Sequence, residues 1–174
     1  MDEPRDRDLD DALDRALEHV VEAIGGQPRD GQRHMAHVVA QTLGGAAHAI
    51  VQAGTGTGKS VAYLVPAVLH ATGDGGGPVI VATATLALQR QLVERDLPLV
   101  ADALAPIVGR PVEFAVLKGR NNYVCLNRLH GVLPEDDDEQ ALFEAPRSAL
   151  AVQAQAVRAW AEATATGDRD DYPD

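Results

Sequence analysis

The sequence predicts an α/β fold in which helices flank parallel central strands. Three observations carry that expectation. Short apolar runs alternate with helical periodicity between residues 48 and 117. A glycine-rich turn, Ala53 to Ser60, joins the first of those runs to an apolar helix. The 174 residues are 45% hydrophobic but only 3% aromatic, so there is enough chain for one domain with a core, and that core must be built from Ala, Val, Leu and Ile.

Leu9, Leu13, Leu17, Val20 and Ile24 recur at three- and four-residue steps and predict a first helix, which Gly25-Gly26 stops. Asp30 is placed to cap a second helix carrying Met35, Val38, Val39 and Leu43 on one face, ended by Gly44-Gly45. His48 to Gln52 reads as a short buried strand. After the glycine-rich turn, a helix runs from Lys59 to about His70, with Pro66 expected to kink it or loosen its last turns. Ala71 to Gly77 is a loop, Pro78 to Thr83 a second strand and Leu86 to Asp96 a helix that Pro98 breaks. Leu99 to Val108 is helical again, and Pro111 to Leu117 is a third strand. Such alternation implies parallel strands joined by right-handed crossovers. Beyond Asn121 the pattern is helical, with an acidic loop at 135–139 and an Ala-rich helix from about Pro146 to about Ala165. Gly167 to Asp174 carries no fold signal.

The formal net charge of −11 is unevenly spread. Residues 1–14 hold seven acids, Glu135 to Glu139 is an unbroken acidic run, and Asp168, Asp170, Asp171 and Asp174 crowd the end. Between Arg15 and Pro134 there are ten Lys or Arg against eight Asp or Glu, so the middle is roughly neutral. That balance permits a nucleic-acid partner without indicating one. The acidic N-terminus has no apolar core and does not read as a signal peptide, and no apolar run is long enough to cross a bilayer. The expectation is a soluble cytoplasmic protein with no membrane partner, monomeric by default. The single cysteine, Cys125, excludes an internal disulfide framework. Only two lysines stand against thirteen arginines. Lys59 sits where a flexible point charge is wanted; Lys118 is either similarly special or a survivor of compositional bias.

Ala53-Gly54-Thr55-Gly56-Thr57-Gly58-Lys59-Ser60 matches the Walker A pattern, with Ala53 in place of the usual first glycine. The chemistry requires these residue types. Backbone amides must turn inward to cradle phosphate oxygens, and glycines allow the dihedrals involved. The following helix directs its positive end at the same oxygens. Lys59 is then placed to reach the β- and γ-phosphates of ATP, and Ser60 to bind Mg2+. The plain alternative is an ordinary glycine-rich turn with an exposed lysine. An apolar run before the motif and an apolar helix after it favour the phosphate loop. The fold expectation narrows accordingly to a P-loop NTPase (RecA-like) three-layer sandwich, incomplete within this chain.

Four segments in order point further: Arg29 to Met35, the AGTGTGKS loop, Thr83 to Leu92, and Lys118 to Leu129. Together, over about residues 28–130, they resemble the opening of the DinG/XPD-type iron–sulfur DNA helicases of superfamily two, most closely DinG-like proteins. By that resemblance Gln32 with Arg29 is an adenine-sensing Q motif, and a glutamine amide can both donate to and accept from the adenine edge. The alternative is a Gln on a helix surface beside an Arg. Thr83, Thr85 and Gln89 correspond to the motif that lies along single-stranded DNA, where hydroxyls and amides bind phosphate without reading sequence. Thr85 could equally cap the next helix, and both roles are compatible.

Cys125 resembles the first of four cysteines that hold a [4Fe–4S] cluster; otherwise it is a small buried apolar residue. One cysteine holds no cluster, so a cluster is expected only in the intact protein. The expected organisation is an acidic N-terminal helix (1–27), a partial RecA-like ATP-binding domain (28–120) and the start of an iron–sulfur-type insertion with a disordered acidic end (121–174). The expectation is a chain truncated inside the cluster domain, without a DEAH-like strand end or second lobe for hydrolysis. The intact protein would couple ATP hydrolysis to 5′-to-3′ unwinding of single-stranded DNA or forks, whereas this part would bind nucleotide without turnover. Two other readings stay open: another P-loop enzyme such as a kinase, and a non-catalytic nucleotide-binding or interaction module.

Overall fold

The computed structural model describes residues 4–45, 47–132 and 149–173. The acidic run 135–139 and residues 146–148 lie outside the described residues. The chain divides into two units, Met1–Val116 and Leu117–Asp174.

The first unit is built on four helices: α1 (Pro4–Ala23), α2 (Asp30–Gly44), α3 (Lys59–Thr72) and α5 (Leu97–Val108), with the short α4 (Leu86–Gln91) before α5. α1 buries Leu13, Ala16, Leu17, Val20 and Val21, a stripe at helical spacing, while Leu9 and Ile24 at its ends are exposed. α3 lies at the centre and packs on α1, α2 and α5. Its buried residues, Val61, Ala62, Leu64, Val65, Pro66, Ala67 and Val68, surround the helix, as expected of one enclosed on most sides. The helix continues through Pro66 to Thr72, whose hydroxyl donates back to the Val68 carbonyl at 2.7 Å. α2 faces inward with Gln32 and Ala36, followed by partly buried Ala40, and not with the Met35, Val38, Val39 and Leu43 face that hydropathy suggests.

The parallel strands expected at 48–52, 78–83 and 111–117 do not form a ladder among the described residues. Ile50 and Ile80 are 101% and 91% exposed. An apolar run records a demand for burial, but a strand exists only when a neighbouring backbone takes up its N–H and C=O groups. Here the core of the first unit is closed by helices packing on helices. The break expected at Pro98 is also replaced. The chain passes from α4 through a π-helical turn (Leu92–Asp96) directly into α5, with the Leu97 N–H donating to the Leu92 carbonyl. Pro98 then falls at the start of α5, where the π turn just before it lets the chain continue past a residue that has no N–H to donate.

α1 and α2 are also tied by charge. His37 on α2 meets Asp10 at 3.1 Å through Nδ1 and Asp14 at 2.9 Å through Nε2. Arg33 bonds Glu18 at 2.8 Å and lies 3.5 Å from Asp14. Ionised carboxylates only accept, so His37 satisfies both partners when both ring nitrogens carry protons. Burial pulls its pKa down, but the hydrogen bonds and charges of Asp14 and Asp10 outweigh that and raise it above 6.5.

In the second unit, a 3-10 turn (Arg120–Asn122), α6 (Leu126–Val132), α7 (Ala149–Ala163) and a second 3-10 turn (Arg169–Asp171) follow one another. Lys118 is ion-paired with Asp168 and, at 2.9 Å, with Asp170. Those hydrogen bonds, Asp168 first, raise its pKa. Its backbone N–H donates to the Tyr123 hydroxyl at 2.9 Å. Tyr123 forms an antiparallel bridge with Asp168, and the Val124 N–H donates to the Gly167 carbonyl at 2.8 Å. Trp160 meets Tyr172 edge-on at 5.3 Å. Residues 167–173, for which no element was expected, are thus tied to 118–124.

A His whose folded pKa exceeds its unfolded value stabilises fully below the unfolded value and loses that contribution as pH rises through the folded one. The thermal midpoint should therefore fall as pH is raised from 6 past the His37 pKa. In His37→Gln this part of the pH dependence should vanish, as followed by circular dichroism melts across pH 6–9.

Candidate functional site

The segment between residue 53 and α3 is a tight turn, and two of its glycines make it possible. Gly56 has φ 74° and Gly58 φ 79°, both left-handed. Gly58 is the N-cap of α3, so Lys59 and Ser60 open that helix. The Gly58 carbonyl accepts the first helical hydrogen bond, from Ala62 N–H at 3.1 Å, and a second from Gln32 Nε2 at 3.0 Å. Gln32 is 6% exposed, and a Cβ on Gly58 would collide with its amide. Arg29, at the N-cap of α2, donates to the Gly56 carbonyl.

Lys59 turns its ammonium onto the loop itself, donating to the carbonyls of Ala53, at 3.3 Å, and Gly54. The Thr57 hydroxyl closes on the Gly54 carbonyl at 2.9 Å, while Thr55 is exposed. Ser60 is half-buried, one helical turn before Tyr63. Burial pushes the Tyr63 phenol up, against the opposing effect of Ser60. Tyr63 escapes notice in the sequence because an aromatic in an apolar helix reads as core.

The structure therefore gathers Arg29, Gln32, Ala53, Gly54, Gly56, Thr57, Gly58, Lys59 and Ser60 around one turn. Thr83, Thr85 and Gln89 form a second group at the start of α4. Thr85 is its N-cap and accepts from Leu88 N–H at 3.2 Å, while the Thr83 hydroxyl donates to the Thr85 carbonyl at 3.2 Å. Gln89 sits half-buried on α4, its N–H bonded to the Thr85 carbonyl at 3.1 Å.

Comparison with known proteins bears on what this turn is. A family model described as DEAD/DEAH box helicase matches residues 31–110. Over 157 residues the chain is 50% identical to the ATP-dependent helicase DinG of Mycobacterium tuberculosis, covering 87% of this chain and 24% of that protein. Over most of its length the chain is similar to helicases of the DinG/YoaA type. Another relative, the 3'-5' exonuclease DinG of Bacillus subtilis, is 39% identical over 144 residues, 83% of this chain and 14% of its own length. The ATP-dependent DNA helicase YoaA of Escherichia coli is 40% identical over 146 residues, 83% of this chain and 20% of its own length. The chain thus spans about a quarter or less of these relatives. No solved structure matches it. The match to the DEAD/DEAH box helicase model implies a P-loop NTPase fold.

Cys125, in the second unit, is exposed and precedes α6, accepting from Leu129 N–H at 3.0 Å. It lines an open cleft with Arg120 and Arg128, and among the described residues no cluster of three or more His, Cys, Asp or Glu could hold a metal. A [4Fe–4S] cluster needs four thiolates. The residues of this chain do not fit one.

Gly58→Ala should strain the left-handed N-cap by about 1–2 kcal/mol and displace the Gln32 amide as well. A lowered urea midpoint, together with at least tenfold weaker nucleotide binding, is the expected result.

Proposed function

We propose that this chain is the ATP-binding part of an ATP-dependent DNA helicase. The observation that carries the reading is the left-handed Gly58 at the N-cap of α3, which sets Lys59 and Ser60 at the mouth of a 14-residue helix. A triphosphate placed there meets the helix's free N–H groups and its positive end. It offers the Lys59 ammonium a full negative charge in place of the Ala53 and Gly54 carbonyls. The Ser60 hydroxyl would hold Mg2+, which neutralises charge on the β- and γ-phosphates when bound. The names of the M. tuberculosis and E. coli relatives, both called ATP-dependent helicases, support this assignment.

In the intact protein we assign hydrolysis coupled to 5′-to-3′ unwinding, in the cytoplasm, on single-stranded DNA or forks. Thr83, Thr85 and Gln89 would lie along the strand's phosphates. The segments 48–52, 78–83 and 111–117 would form the parallel strands of a RecA-like three-layer sandwich, which accounts for the exposure of Ile50 and Ile80. Residues 121–174 would begin the iron–sulfur-type insertion, with Cys125 as one of its ligands only in that longer protein. Among the described residues no helix is long and apolar enough to cross a membrane.

Lys59→Ala should weaken binding of a fluorescent ATP analogue to this chain by at least tenfold and abolish DNA-stimulated ATPase activity in the full-length protein. Unchanged affinity and turnover would remove Lys59 from the site.

A further inference from the structure

The resemblance gives Gln32 and Arg29 to adenine, but the structure gives them another partner. Both donate to carbonyls of the glycine-rich turn: Arg29 to Gly56, and Gln32 to Gly58 at 3.0 Å. A peptide group is planar and trans, so its C=O and the following N–H point to opposite sides. Anchoring the Gly56 carbonyl therefore fixes the direction of the Thr57 N–H. Anchoring the Gly58 carbonyl likewise fixes the Lys59 N–H. The second anchor is doubled, since the same carbonyl also takes the Ala62 N–H at 3.1 Å. The side facing away from these donors is the side on which a phosphate must bind.

We propose that Arg29 and Gln32 are positioning residues for the phosphate loop, holding two of its peptide planes so that the Thr57 and Lys59 amides face the triphosphate, whichever base the nucleotide carries. The proposal rests on the phosphate-site reading above. Gln32 is suited to the task by its environment. At 6% exposed its amide is enclosed, and one of its two N–H groups is committed to Gly58. The glycine at 58 makes room for it, because any Cβ there would occupy the space of the Gln32 amide. Arg29 reaches the turn from the protein surface. Its backbone carbonyl meanwhile accepts from the N–H groups of Gln32 and Arg33, both at 3.0 Å, so the start of α2 is itself held rigid. A glycine-rich turn has a high entropic cost of ordering. Two donors that order it before the ligand arrives lower the cost of binding.

The test measures binding of Mg2+-ATP, Mg2+-GTP and Mg2+-tripolyphosphate to the 174-residue chain by titration calorimetry. Arg29→Ala and Gln32→Ala should each weaken all three ligands by the same factor, about tenfold, leaving the ATP-to-GTP ratio unchanged. Arg29→Lys, which keeps a donor, should recover part of the loss. Loss of ATP affinity with tripolyphosphate binding unchanged would overturn the proposal in favour of adenine contact, and so would an absence of effect. Should Gln32→Ala fail to fold, the surface variant Arg29→Ala decides by the same criterion. Lys59→Ala separates the two levels. If the wild-type chain does not bind tripolyphosphate, or binds it regardless of Lys59, the phosphate-site reading fails and this proposal with it. If Lys59→Ala abolishes binding while the Arg29 and Gln32 variants do not lower it, the positioning role alone fails.

Discussion

One carbonyl, that of Gly58, joins the helical core to the glycine-rich turn. It closes the first turn of α3 through Ala62 and receives the Gln32 amide from α2, so the start of one helix is registered against the side of another. Each part of that arrangement has a reason. Gly58 must lack a side chain because its φ is left-handed and Gln32 fills the space beside it. Gln32 can be buried because its polar end has found a partner. α2 can bring it there because its inward residues beyond Gln32 are Ala36 and Ala40, which let the helix approach α3 closely. The charges that His37 and Arg33 direct at α1 hold the outer side of α2.

The turn itself was legible in the sequence because its chemistry dictates residue type. Glycines at 56 and 58 are what left-handed backbone requires, and a lysine followed by a serine at the start of an apolar helix has few other uses. α1 and α3 were legible for a different reason: Leu13, Leu17 and Val20, and Val61, Leu64, Val65 and Val68, are large enough for apolar spacing to report burial. The inward face of α2 was misread because hydropathy weighs size. Met35, Val38, Val39 and Leu43 outscore Gln32, Ala36 and Ala40, yet the close approach to α3 favours the small residues.

The expected strands form no ladder among the described residues, for a reason no single-segment pattern can detect. Val51 and Val81 sit in runs that look buried, but pairing depends on backbone elsewhere, and the residues described here supply helices instead. Pro98 shows the converse. Read locally it ends a helix, whereas a π turn just before it lets the chain carry on. Around Thr85 the ambiguity belongs to the chemistry. The hydroxyl that caps α4 through Leu88 is the same group that a strand's phosphate would use, so sequence and fold agree without choosing between the two.

The pairing of Lys118 with Asp168 and Asp170 joins residues as much as 52 positions apart. Closing a loop costs entropy that grows only with the logarithm of its length, about 0.6 kcal/mol for each doubling. The second unit is thus fastened at its rim, and the length of chain enclosed has little bearing on how firmly it shuts. Lengthening a flexible stretch outside its helices would cost less than a neutral residue in place of Lys118, which would leave the Asp168 carboxylate, 10% exposed, without its cation.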